Sequence, residues 1–110
     1  MALGSVFVRR KPTVTWRTRD VAGGAIAGAA VTVTTPSGSR VTVADDQPGL
    51  DQAATGGTIT VILGDGPGKY SWCEVRAPTG FKLAKPACGS WDAAWESNAT
   101  FVLTHESVSR

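Results

Sequence analysis

Hydrophobic and polar residues alternate along short stretches of this chain, and no stretch keeps the apolar spacing of about 3.6 residues that marks a helix. Thr and Val are abundant, and Gly or Pro interrupts the sequence at short intervals, as is typical of strands joined by turns. The polar segment 44–57 contains Gly and Pro and is predicted to be a loop. The pattern predicts strands at residues 14–18, 29–35, 40–43, 58–63, 69–75, 81–83 and 99–105.

Six or seven short strands with turns between them favour an all-β, antiparallel sandwich. Residues 91–95 are ambiguous, because their apolar positions at i, i+3 and i+4 would also allow a single helical turn. In three strands the alternation places a polar residue on the same face as two apolar ones: Thr18 with Val14 and Trp16, Glu74 with Tyr70 and Trp72, and His105 with Phe101 and Leu103.

The composition indicates one small domain without a cofactor. A chain of 110 residues has room for one core, and it buries roughly 65% of the surface that its unfolded form exposes. A net charge of +2 is too weak to indicate a nucleic-acid partner, and no apolar run is long enough to span a bilayer. One His and two Cys cannot complete a four-ligand zinc site alone. We therefore expect no metal, no cofactor, no membrane insertion and no nucleic-acid partner.

The predicted sandwich occupies residues 13–106. Residues 1–12 are expected to be a tag or the edge of a linker, and residues 107–110 the edge of a C-terminal linker. The basic residues 9–11 follow the apolar ones, which is the reverse of the order in an export signal. A domain taken from a larger secreted protein would carry no signal of its own, so this observation excludes little.

Two cysteines, Cys73 and Cys88, are separated by fifteen positions and lack the CxxC spacing of metal and redox motifs. In a small chain of strands and turns they favour one disulfide and an extracellular setting. Two buried free thiols in a cytosolic protein are the alternative.

Three segments together resemble the Cna B-type domains of Gram-positive surface proteins and pilins. They are RDVAGGAIAGA at residues 19–29, GKYSWCEVRAPTGF at 68–81 and FVLTH at 101–105. The second is the most specific, because a Glu on a strand followed by Ala-Pro-x-Gly-aromatic is a demanding combination. The resemblance covers roughly residues 14–106 and implies a seven-strand, prealbumin (transthyretin)-like sandwich that serves as a stalk or spacer.

Many domains of that family contain a Lys–Asn isopeptide bond formed beside a buried acid. The resemblance places Thr18 at the lysine position, Glu74 at the acid position and His105 at the asparagine position. A hydroxyl is a far poorer nucleophile than a neutral amine, and an imidazole has no carbonyl to attack. We therefore expect no isopeptide bond, and we expect the Cys73–Cys88 disulfide to replace it as the link between sheets.

A buried Glu74 needs partners, because an unpaired buried carboxylate costs several kcal/mol. One possibility is that His105 and Thr18 both donate hydrogen bonds to it, which would form a non-covalent bridge between the first and last strands. The other is that Glu74 accepts from backbone N–H groups of the following Ala-Pro turn while His105 is partly solvated.

Two further groups of residues could form sites. Trp91 and Trp95 could present an aromatic platform for a sugar or a peptide, although such rings more often cap the edge of a sandwich. Asp45, Asp46 and Asp51 share one loop, but the alternating oxygen ligands of a calcium loop are absent, which favours a solvated turn.

No catalytic set is evident, so we expect a non-enzymatic module. The predicted function is that of a structural stalk or adhesion domain in a secreted or cell-wall-attached bacterial protein, whose partners are neighbouring domains and possible host or environmental proteins or glycans. Two alternatives are a carbohydrate- or protein-binding module that uses exposed Trp residues or a sheet edge, and an accessory domain of an enzyme.

Overall fold

A computed structural model describes residues 10–45, 51 and 56–108. The described chain contains strands and turns but no helix. Seven strands follow one another along the sequence: β1 Thr13–Asp20, β2 Ala30–Thr34, β3 Arg40–Ala44, β4 Thr58–Ile62, β5 Gly68–Arg76, β6 Cys88–Ala93 and β7 Asn98–His105.

The strands form two sheets packed as a sandwich. The smaller sheet has the order β4-β1-β7 and the larger has the order β3-β2-β5-β6. In β1, β5 and β7 buried residues alternate with more exposed ones, so each sheet has one inward face, and the two inward faces cover each other. The predicted all-β, seven-strand sandwich is confirmed.

The first and last strands run parallel, although an antiparallel arrangement was expected. Residues Thr13–Asp20 of β1 pair in register with Asn98–His105 of β7, whereas the other four described pairings are antiparallel. We call the two ends of the sandwich, at which the strands begin and end, its poles. Strand β6 ends at the pole where β1 begins, and the turn after Ala93 carries the chain across to the other sheet at that same pole. From there β7 can only run in the direction of β1.

The sixth strand was assigned to the wrong residues. Residues 81–83 form only an isolated bridge between Phe81 and Ser107, whereas the strand β6 lies at Cys88–Ala93 and leaves no helical turn at 91–93. Residues 81–87 use their backbone differently, since Lys82 donates to the Glu106 carbonyl and Ala84 donates to the Glu74 side chain. The small, Gly-containing β6 sequence is held as a strand by pairing with β5 rather than by intrinsic propensity.

Aromatic rings fill the end of the core near the start of β1. Their centroids lie 5.2–6.4 Å apart, at separations typical of favourable ring pairs. Aliphatic residues from both sheets complete the interior around them. The rings belong to Trp16, Tyr70, Trp72, Trp91 and Phe101.

Candidate functional site

Three polar residues lie inside the sandwich, at the end of the core opposite the aromatic rings. They are the buried polar or charged residues among those described: Thr18 on β1, Glu74 on β5 and His105 on β7. Each follows the inward-facing alternation of its strand, which is why apolar side chains precede it two and four positions earlier. The site is therefore built by strand register rather than by a loop.

Glu74 and His105 join the two sheets. His105 Nε2 lies 2.5 Å from Glu74 Oε2, and neither side chain has any solvent exposure. Glu74 belongs to the four-stranded sheet and His105 to the three-stranded sheet, so this contact crosses the interior. Both side chains are sealed from solvent, so water does not compete for this hydrogen bond.

The second oxygen of Glu74 is also satisfied. Oε1 accepts a hydrogen bond of 2.7 Å from the backbone N–H of Ala84, a residue in the segment between β5 and β6. Glu74 therefore has one partner on each oxygen, and the Ala84 segment closes over it.

The hydrogen bonds of His105 determine where its protons lie. Nδ1 lies 3.2 Å from the carbonyl oxygen of Arg19, and a carbonyl can only accept, so Nδ1 carries a proton. One further proton lies between Nε2 and Glu74 Oε2. The pair is then either imidazolium with carboxylate or imidazole with carboxylic acid, and it has no net charge in either form.

Thr18 does not contribute to this bridge, contrary to one of the two expectations. Its Oγ1 donates a 2.6 Å hydrogen bond to the carbonyl of Ile26, in the connection between β1 and β2. The other expectation was also partly wrong, because His105 is fully buried and the backbone donor to Glu74 is Ala84 rather than the Ala-Pro turn. Thr18 fixes the neighbouring connection, while Glu74 and His105 form the bridge.

The disulfide joins Cys73 and Cys88, but it does not link the sheets. The two residues lie directly opposite each other on β5 and β6, neighbouring strands of the four-stranded sheet. The expectation that it replaces an inter-sheet link is therefore wrong, because Cys73 has the opposite parity from Glu74 and faces outward. The disulfide instead closes the segment that carries Ala84, and the Glu74 N–H bonds the Ala87 carbonyl beside it.

The two tryptophans proposed as a platform lie in different surroundings. Trp91 stacks on Tyr70 with ring centroids 5.2 Å apart and also meets Trp16 and Phe101, so its ring belongs to the aromatic end of the core. Trp95, in the turn before β7, is 41% exposed and covers Gly66. Trp95 is thus the one of the two that offers a surface.

The carboxylates of Asp45 and Asp51 accept hydrogen bonds from backbone N–H groups. Asp45 Oδ2 accepts from the N–H groups of Gly28 and Gly57, and Asp51 Oδ1 accepts from the N–H of Thr60. Asp46 lies outside the described residues. Within residues 10–45, 51 and 56–108, no three His, Cys, Asp or Glu side chains are grouped to hold a metal ion.

Sequence reasoning missed Ala84 and the carbonyls of Arg19 and Ile26 as partners of the polar residues. All three act through the backbone, and every residue carries those groups, so the side-chain pattern held no signal for them. The described part of the chain contains no apolar helix of membrane-spanning length.

Comparison with solved structures shows that this sandwich fold occurs in other proteins. The Bacillus anthracis TIE protein matches with a TM-score of 0.70 and 18% identity, over 91% of this chain and 17% of that chain. GBS52, the minor pilin of the Gram-positive pathogen Streptococcus agalactiae, matches with a TM-score of 0.62 and 14% identity, over 94% of this chain and 48% of that chain. This chain thus spans less than half of either neighbour. No family model and no curated protein sequence matches it.

Proposed function

We propose that this chain is a structural spacer module of a secreted or cell-wall-attached bacterial surface protein, with neighbouring domains of the same protein as its partners. The observation that carries the proposal is the parallel pairing of β1 with β7. Because the first and last strands run in the same direction, the chain enters the module at one pole and leaves it at the other. Modules connected in this way extend end to end.

The same pairing suits a module under tension. A pull on the two ends draws β1 toward one pole and β7 toward the other, so the hydrogen bonds along the eight paired residues of each strand are loaded together. Pulling both strands from one pole would instead break the bonds one after another. The parallel ladder therefore favours resistance to extension.

The Glu74–His105 bridge supports this role from inside the sandwich. It ties β7, one of the two loaded strands, to β5 of the opposite sheet. The contact lies at the positions that the resemblance assigns to the acid and the asparagine of an isopeptide bond. We propose that this hydrogen-bonded pair stands where relatives of that kind have a covalent link.

The absence of an isopeptide bond is part of the proposal. Thr18 has no amine and His105 has no carboxamide, so the two assigned positions lack both reacting groups. Intact-mass spectrometry tests this point. We expect the folded chain to be lighter than its sequence by the two hydrogens of the disulfide, while the further loss of one ammonia would contradict the assignment.

The disulfide supports an extracellular setting for the module. Such bonds persist in oxidising, extracellular environments and are rare in the cytosol. One solved neighbour is the minor pilin of a Gram-positive pathogen, and this likeness supports a place on the cell surface. We propose this location for the present chain, together with a non-enzymatic role.

Single-molecule force spectroscopy tests the spacer function in two pulling geometries. In the first, force is applied between the N- and C-termini; in the second, between the N-terminus and an attachment at Ser97, which lies at the pole where β1 begins. We expect the first geometry to need the higher force. Equal forces, or a weaker first geometry, would contradict a load-bearing role.

The exposed ring of Trp95 favours one second candidate, a module that binds a glycan or a protein. A glycan array with the wild-type chain and Trp95→Ala would distinguish the two functions. Binding that disappears in the variant would support a ligand-binding module, while an array without signal would leave the spacer function as the better account.

A further inference from the structure

An apolar groove opens between the two sheets at the edge formed by β3 and β4. It has a volume of about 280 Å³ and lies toward the pole where β1 begins. Val41 and Ile62 flank it with 41% and 51% of their surface exposed, which is high for large apolar side chains. Its other lining residues include the aliphatic Val33, Val43, Val61 and Leu63.

One end of the groove carries a negative charge. Asp65 lines it and accepts a hydrogen bond of 2.9 Å from the Ser37 hydroxyl. Among the described residues, no basic side chain forms an ion pair with Asp65. An occupant that fits this surface has apolar side chains followed by a basic group.

The chain itself contains a segment with this chemistry. Residues 6–11 have the sequence Val-Phe-Val-Arg-Arg-Lys, in which three apolar residues precede three basic ones. We propose that the groove binds residues 6–11 of a second copy of this chain, with the apolar residues between β3 and β4 and the basic residues beside Asp65. This contact goes beyond the spacer function, because it joins two copies of the chain at the pole where β1 begins.

The path of the chain just before β1 supports a dimer in which each copy binds the segment of the other. Leu63, which lines the groove, donates its N–H to the carbonyl of Pro12, so the chain that leads into β1 passes next to the groove. Residues 10–12 and the groove therefore lie at the same pole. Two copies that meet at this pole can each supply a segment to the other, which closes a two-fold symmetric pair.

The contact is made by side chains and not by an added strand. On the edge of β4 that faces away from β1, the N–H of Thr60 already donates to Asp51 Oδ1, which occupies a position that a new strand would need. The groove residues lie further along, near Ile62 and Asp65. Specificity then comes from apolar burial and from the charge of Asp65.

Sedimentation equilibrium of the full chain at increasing concentration tests the proposal. We expect a dimer for the wild type, and we expect Phe7→Ser and Ile62→Lys each to weaken it roughly tenfold or more, since each removes an apolar group from the contact. Val102→Lys is the matched control for Ile62→Lys, because Val102 is 60% exposed on β7, away from the groove. Its dimer should be unchanged.

A mixture of the two variants makes the test sharper. Phe7→Ser copies keep an intact groove and Ile62→Lys copies keep an intact segment, so the mixture should form a heterodimer through one of the two contacts. Circular dichroism confirms that each variant is folded. A monomeric wild type, a dimer that survives both substitutions, or a mixture without heterodimer would overturn the proposal. Binding of the segment to the groove of its own chain would leave the wild type monomeric and would also overturn it.

Discussion

His105 Nε2 and Glu74 Oε2 lie 2.5 Å apart in the sealed interior of the sandwich, and this contact connects the last strand of one sheet to the third strand of the other. Each group has a further partner: the Arg19 carbonyl for the imidazole and the Ala84 N–H for the carboxyl. Because all four hydrogen-bonding atoms are satisfied, the pair is buried without an unpaired charge. Removing either member leaves the other in an apolar interior.

Replacing the imidazole should therefore destabilise the fold strongly. We expect His105→Leu to lower the free energy of unfolding by about 3–5 kcal/mol, because Glu74 loses the partner of a buried pair. Urea unfolding measures this change. Thr104→Ala is the control, since Thr104 is the exposed neighbour on the same strand and its replacement should stay within about 0.5 kcal/mol. A loss no larger than that of the control would show that the bridge carries little stability.

The hydrogen bond from His105 to the Arg19 carbonyl predicts the position of one proton. In the folded chain at neutral pH, Nδ1 should be protonated, because its partner has no hydrogen to donate. Nitrogen-15 NMR of the single histidine distinguishes protonated from bare ring nitrogens. The urea-unfolded chain serves as the reference. A bare Nδ1 in the folded state would contradict the geometry.

The disulfide should stabilise the domain mainly through its loop. Cys73 and Cys88 are fifteen positions apart, and closing a loop of this length contributes about 3 kcal/mol in the chain-entropy account. Cys73→Ala with Cys88→Ala should lose about that amount in urea unfolding, and a reductant should have no effect on the double variant. In force spectroscopy, the same variant should extend further than the oxidised wild type by about 50 Å. An unchanged extension would mean that the bond does not limit stretching.

Alkaline pH should destabilise the folded state through Tyr70. Burial raises the pKa of this phenol above its ordinary value of 10.0, and the negative charge of Asp65 raises it further. The folded state then holds the proton more tightly than the unfolded state, so the stability from this group is complete below pH 10.0 and is lost as pH rises through the folded pKa.

The variant Tyr70→Phe isolates this contribution. It removes the 2.6 Å hydrogen bond from the hydroxyl to the Gly66 carbonyl, which should lower stability by about 1 kcal/mol at neutral pH. Above pH 10.0 its stability should fall less steeply than that of the wild type. Parallel curves for the two proteins would contradict the raised pKa.

Much of this architecture could be predicted from alternation. The parity of β1, β5 and β7 placed Thr18, Glu74 and His105 on inward faces, and the structure has all three buried. A two-residue period is a property of any strand, so it needs no knowledge of the pairing partners. The parallel direction of β7 relative to β1 was not predicted, because it depends on the pole at which the chain crosses from one sheet to the other.

The errors share a physical origin. The sequence of residues 81–83 favours a strand. In the structure, however, backbone N–H groups of this segment donate to Glu74 and Glu106, and the pattern of side chains carries no information about those bonds. Strand β6, with its Gly and small residues, was overlooked because pairing with β5 determines its conformation. The disulfide pairing followed from having only two cysteines, yet its place within one sheet depended on this missed strand.

A double-mutant cycle on Glu74 and His105 tests most directly whether the two side chains act as one bridge between the sheets. The free energies of unfolding of the wild type, Glu74→Gln, His105→Gln and the double variant would be measured in urea under identical conditions. The bridge predicts an interaction energy of about 1–3 kcal/mol, so the double variant loses much less than the two single losses combined. If the two single losses add up to the loss of the double variant within about 0.5 kcal/mol, the bridge is contradicted.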